Sequence, residues 1–136
     1  MNETSTETRS VVVEREFPYP PEKLWRALTQ PHLIAEWLMQ NDFVPAANHR
    51  FKLGTSWGHI DCQVKTIEPN KTLSYSWDAL GLVSVVTWTL SPTTTGTHLR
   101  MEQKGFRPDQ KQAFHGARAG WSKFFANLEQ VLTRAD

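Results

Sequence analysis

The hydrophobic period of this chain changes twice, and that order leaves few folds open. Between residues 21 and 38 apolar side chains recur at helical spacing: Leu24, Trp25, Ala27 and Leu28, then, past Pro31, Leu33, Ile34, Trp37 and Leu38. From Phe43 to Gln103 the period becomes two, with Leu73, Tyr75 and Trp77 alternating with Ser74 and Ser76, and Val86, Trp88 and Leu90 with Thr87 and Thr89. Strands with one apolar and one polar face belong to an antiparallel sheet wetted on one side. Beyond residue 110 the spacing returns to three and four through Phe114, Ala117, Trp121, Phe124, Leu128 and Val131, a stripe widened by Gly120, Phe125 and Leu132. A long amphipathic helix has to bury its stripe, and here only the sheet is large enough to receive it.

Turn residues set the boundaries. A first strand, residues 9–17, ends at Pro18, Pro20 and Pro21, which also prepare the first turn of a helix. Further strands are expected near residues 50–53, 59–67, 72–77, 84–90 and 97–103, with breaks at 54–58, 68–71, 78–81 and 91–96. Asp109 followed by Gln112 predicts a capping box at the start of the last helix. The order is therefore strand, two short helices, a meander of about five strands, and one long C-terminal helix. A twisted meander curls, so a single helix laid across it encloses space. With 136 residues the chain makes one α+β domain, residues 9–135, behind a polar tail of residues 1–8.

Several functional classes are poorly served by this composition. Fifteen basic against fourteen acidic residues leave a net charge of +1 with no Lys/Arg run, so no nucleic-acid partner is expected. Cys62 is the only cysteine, which excludes an internal disulfide and reads as a small buried hydrophobe. The polar, acidic N-terminus is no signal or transit peptide, and no apolar run reaches the ~20 residues of a membrane span. No membrane insertion is expected, and a cytoplasmic location follows by elimination. The expected state is a monomer or weak dimer.

The chemistry-bearing residues form no constellation. Among His32, His49, His59, His98 and His115 no pair has the i, i+4 spacing of a helical zinc site, so no metal is expected. His98 falls on the strand face opposite Leu99 and Met101 and should point to solvent. Neither a nucleophile elbow nor a phosphate-binding glycine loop is present, and no cofactor is expected. Glu14, Glu16 and Glu102 have no base or nucleophile beside them in the sequence. No catalytic residue is named, and the chain is read as a binding protein rather than an enzyme. Gly116 and Gly120 are read as a site of close packing between the last helix and the sheet.

The aromatic set carries the functional expectation. Six Trp and seven Phe need a thick core or a cavity wall to occupy. Trp37, Trp57, Trp77, Trp88, Phe106, Trp121 and Phe125 fall on or near faces that turn inward. Core filling is the ordinary explanation for each. Together they are the candidate lining of a pocket for a hydrophobic, aromatic or polycyclic ligand, and a bound ligand or water is the expected partner of a buried Trp N–H.

The run Pro-Pro-Glu-Lys-Leu-Trp-Arg-Ala-Leu-Thr-Gln-Pro at 20–31 and Glu-Trp-Leu at 36–38 resemble the opening of a known family. Glu68-Pro69-Asn70-Lys71-Thr72-Leu73 with Ser74-Tyr75-Ser76-Trp77, Val86-Thr87-Trp88-Thr89-Leu90, Gly96-Thr97-His98-Leu99 and Gly120-Trp121 are similar to its later segments. The family is that of bacterial homologues of the activator of heat-shock protein 90 ATPase, a START-like branch of the Bet v 1-like (SRPBCC) superfamily. The resemblance spans about residues 9–133. One departure is Pro45-Ala46-Ala47-Asn48-His49 where members often carry a Gly-rich turn, with Asn48 available as a left-handed residue. The resemblance implies a helix-grip fold, a curved antiparallel sheet around a C-terminal helix with a cavity between them. It implies three activities: binding of a lipid- or polyketide-like molecule, contact with a chaperone, or a cyclase- or hydrolase-type reaction. Fold alone does not choose among them.

Overall fold

The computed structural model describes residues 8–134. The tail expected over residues 1–8 lies, but for its last residue, outside the described residues. The elements follow the expected order: β1 (Arg9–Phe17), α1 (Pro21–Thr29), α2 (Pro31–Trp37), β2 (Arg50–Thr55), β3 (Gly58–Glu68), β4 (Thr72–Ala79), β5 (Leu82–Pro92), β6 (Thr97–Phe106) and α3 (Lys111–Arg134). Each short helix has a proline in its first turn, where a missing N–H costs no hydrogen bond.

The six strands form one antiparallel sheet in the order β1-β6-β5-β4-β3-β2. Only the step from β1 to β6 is non-sequential, and α1, α2 and the meander all lie within it. Two irregularities bend the sheet, one at Arg9/Ser10 opposite Gly105 and one between Val64 and Thr66. Gly105 has φ +132°, and a Cβ there would sit 2.4 Å from the carbonyl oxygen of Val83, so the bend at the end of β6 needs glycine.

The inner face carries the apolar half of each alternation. Leu73, Tyr75 and Trp77 of β4, Val86, Trp88 and Leu90 of β5, and Leu99 and Met101 of β6 are all buried. α3 meets that face with Phe114, Trp121, Phe125, Leu128, Val131 and Leu132. α1 and α2 also pack on α3, and Glu36 of α2 pairs with Arg134 at its C-terminal end at 3.3 Å. On the outer face His98 is half-exposed, as its register predicts, with Nε2 2.7 Å from Glu14 Oε1.

The start of α3 differs from the expected capping box. Gln110 holds the cap position, its carbonyl accepting from Phe114 N at 3.0 Å. Asp109 lies in the preceding turn, where the Arg107 guanidinium takes its carboxylate at 3.1 Å. The Gln110 side chain instead ties the neighbouring segments together, accepting from Arg107 N at 2.9 Å and donating to the Gly81 carbonyl at 3.2 Å. Asn48 adopts the expected left-handed conformation, with φ +67°.

Candidate functional site

Sheet and helix do not close completely on each other. Between the N-terminal half of α3 and the ends of β3 to β6 lies an open cavity of about 760 Å³, within the roughly 300–1,000 Å³ typical of small-molecule sites. Trp77, Phe106 and Trp121 form its inner wall, and Leu82, Ala79 and Phe124 continue that wall toward the mouth. Trp57 in the β2–β3 turn and Leu80 in the β4–β5 turn stand at the opening and are largely exposed. The cavity sits at this end because α3 turns small residues to it. Gly116, Ala117 and Gly120 all border the space.

Those two glycines correct the sequence reading. A Cβ at Gly116 would meet no atom within 4 Å, and one at Gly120 would touch only the Phe124 ring, at 3.9 Å. The small residues therefore leave room instead of bringing helix and sheet into close contact.

A polar chain runs through the inner wall. The Trp121 indole N–H donates to Gln103 Oε1 at 2.7 Å, Gln103 Nε2 donates to Ser84 Oγ at 3.0 Å, and Ser84 Oγ donates to the Trp77 carbonyl at 2.7 Å. Gln103 is buried, yet it borders the cavity. Its position was legible: Leu99, Met101 and Gln103 share one face of β6, and a polar residue in an inward register needs a partner.

The profile of the family described as Activator of Hsp90 ATPase homolog 1-like protein matches residues 18–133. The chain belongs to this family. Protein MLL2253 from Mesorhizobium loti, known from a crystal structure, is 62% identical over 94% of this chain and 99% of its own, with a TM-score of 0.91. The solution structure of BH1534 from Bacillus halodurans is 26% identical over 91% of this chain and 96% of its own, with a TM-score of 0.82. CalU16 from Micromonospora echinospora, 24% identical over 93% of this chain and 77% of its own, shares the fold with a TM-score of 0.82. No curated protein matches the chain.

Not all seven aromatic candidates face the cavity. Trp57, Trp77, Phe106 and Trp121 border it. Trp57 does so from the mouth, 53% exposed, because the two-residue turn that carries it projects beyond the sheet. Trp37, Trp88 and Phe125 lie instead in the packed core. Trp88 contacts Trp37, Trp121 and Phe125 with ring centroids 5.6, 5.6 and 5.7 Å apart, so this cluster fills the space that a ligand would need. Three buried indoles are also satisfied from within: Trp37 by the Ala27 carbonyl at 2.8 Å, Trp88 by Tyr75 Oη at 3.0 Å, and Trp121 by Gln103. The expectation that a ligand satisfies buried Trp N–H groups does not hold for these three.

Cys62 lies outside this site. Burial pushes its thiol well above the ordinary range, and the carboxylates of Asp78, Asp61 and Asp42 add to the effect. A thiol held protonated is a poor nucleophile. Burial likewise pushes the Tyr75 hydroxyl up. Among the described residues no group of three or more His, Cys, Asp or Glu is placed to hold a metal ion, and no helix is long and apolar enough to cross a membrane.

Proposed function

We propose that the protein binds a hydrophobic small molecule, aromatic or polycyclic and polyketide-like in shape, in the cavity beside the N-terminal half of α3. The observation that carries this reading is the unfilled space at Gly116 and Gly120 opposite an aromatic wall. Interiors pack to near-crystalline density, so a cavity of this size retained beside Trp77 and Trp121 calls for an occupant. Tilted indole faces, with Trp77 and Trp121 centroids 5.2 Å apart at 50°, suit a planar ring better than a flexible chain. The cavity presents amide and indole groups, and the one carboxylate that borders it among the described residues, Asp109, is paired with Arg107. That inventory supports binding over turnover.

A thermal-shift screen against lipids, flavonoids and polyketide-like aromatics tests the reading. A ligand at a hundred times its dissociation constant stabilises the fold by ~2.7 kcal/mol. A saturable rise in Tm with the aromatic compounds is expected, and no rise across the panel contradicts the proposal. The family description carries a second reading, contact with a heat-shock chaperone. Exposed Trp57, Leu80 and Val83 are the apolar surface such a contact would use, and pull-down with the purified chaperone tests it.

A further inference from the structure

We propose that the cavity selects ligands bearing a carbonyl oxygen on an apolar aromatic frame, and that the indole N–H of Trp77 donates to that oxygen. The inference rests on the ligand-binding reading above and narrows the class of ligand.

Trp77 differs from the other buried tryptophans. It is only 8% exposed, yet its indole N–H has no hydrogen-bond partner among the described residues. The N–H is not sealed in either, since Thr93 Oγ1 is the one fully enclosed side-chain polar atom without a partner among them. Trp77 borders the cavity, and the proposed contact has its donor open onto that space. An unpaired, accessible donor on the wall of an apolar cavity is free to pair with a polar group that enters.

Gln103 supplies a second donor. An indole nitrogen only donates, so the Trp121 bond fixes Oε1 toward α3 and Nε2 toward Ser84. The Ser84 hydroxyl spends its proton on the Trp77 carbonyl, leaving its lone pairs for Gln103. One N–H of the Gln103 carboxamide remains over. The inner wall therefore offers donors, and the matching ligand group is an acceptor. A neutral carbonyl fits better than a carboxylate, because among the described residues the only cation bordering the cavity is Lys111, itself exposed.

Fluorene and fluorenone share a ring frame and differ by a carbonyl. A purely apolar site prefers the hydrocarbon, because burying an unpaired carbonyl costs desolvation energy, whereas a site with waiting donors reverses the order. Equilibrium dialysis of both compounds gives their affinities for the wild-type protein and for Trp77→Phe. A nitrogen–proton correlation spectrum of the wild-type protein follows the Trp77 indole signal without any substitution. Fluorenone is expected to bind about tenfold tighter than fluorene and to displace the Trp77 indole signal, and Trp77→Phe is expected to remove the preference between the two. Equal or weaker binding of the ketone, an unmoved Trp77 signal, or a preference that survives Trp77→Phe overturns the proposal. If neither compound binds, the cavity reading itself fails and the proposal with it.

Discussion

The indole N–H of Trp121 on α3 and the side-chain oxygen of Gln103 on β6 are 2.7 Å apart, and both residues are buried. This bond ties the helix to the sheet at the inner end of the cavity. Gln103→Leu keeps the volume but strands the indole N–H and removes the donor to Ser84. Leaving buried polar groups unpaired costs about 1–3 kcal/mol each, so a loss of about 2–4 kcal/mol is expected in urea unfolding. A loss below about 0.5 kcal/mol would mean that the bond contributes nothing to stability.

Gly105 is the tightest backbone position near the site. Gly105→Ala forces a φ of +132° on an L-residue and drives its Cβ into the Val83 carbonyl. Backbone strain of this kind costs about 1–3 kcal/mol before the steric clash is added. Thermal unfolding of the variant should show a Tm lowered by several degrees. An unchanged Tm would show that β5 and β6 can separate there without penalty.

Leu80 sits in the β4–β5 turn at φ +52°, next to Gly81 at φ +86°, and is 85% exposed. Two positive φ values make a type I′ hairpin, for which Asn-Gly is preferred. An L-residue in the left-handed region costs roughly 1–2 kcal/mol, and almost no burial of Leu80 offsets it. Leu80→Asn is expected to stabilise the fold by about 1 kcal/mol in denaturant titration and to weaken ligand binding a few-fold by removing apolar surface from the mouth. Higher stability with unchanged affinity would remove Leu80 from the binding surface.

Cys62 and Tyr75 make stability fall in alkaline solution. Burial holds both protons on in the folded state, whereas the unfolded chain releases them near the ordinary values of 9.0 and 10.0. Well below pH 9.0 both states bind the same protons and the contribution is complete. Above it the unfolded state binds fewer, so stability drops as pH rises, by about 1.4 kcal/mol per pH unit for each group past its unfolded value. Cys62 contributes most to the fall in urea midpoints between pH 9.0 and 10.0, and Cys62→Ala should make that stretch shallower. An identical slope in the variant would contradict the assignment.

The architecture was largely legible because its signals are local. The period of two in Leu73, Tyr75 and Trp77 and the three-four spacing from Phe114 to Val131 each report a neighbour a few residues away, and both elements form as read. The position of the cavity is not local. It depends on where α3 sets its small residues against the sheet, and it leaves Trp88 and Phe125 packed while Trp77 and Trp121 border space. All four have the same inward periodicity, so no sequence pattern separates them. Gly116 and Gly120 failed for a related reason: a missing side chain accommodates close contact or open space equally well. Asp109 was misread because its nearer partner, Arg107, outcompetes the helix terminus.

The central claim is that the cavity beside α3 accepts an apolar ligand, and a titration of N-phenyl-1-naphthylamine emission into the wild-type protein and Gly116→Phe tests it most directly. Glycine inside a helix is unfavourable by about 1 kcal/mol, and the space around Gly116 is open, so the variant keeps its fold while its new ring occupies the cavity. Saturable enhancement with the wild-type protein, weakened at least about tenfold in the variant at equal or higher Tm, is the predicted result. The same titration curve in both proteins, or no enhancement in either, would contradict the account.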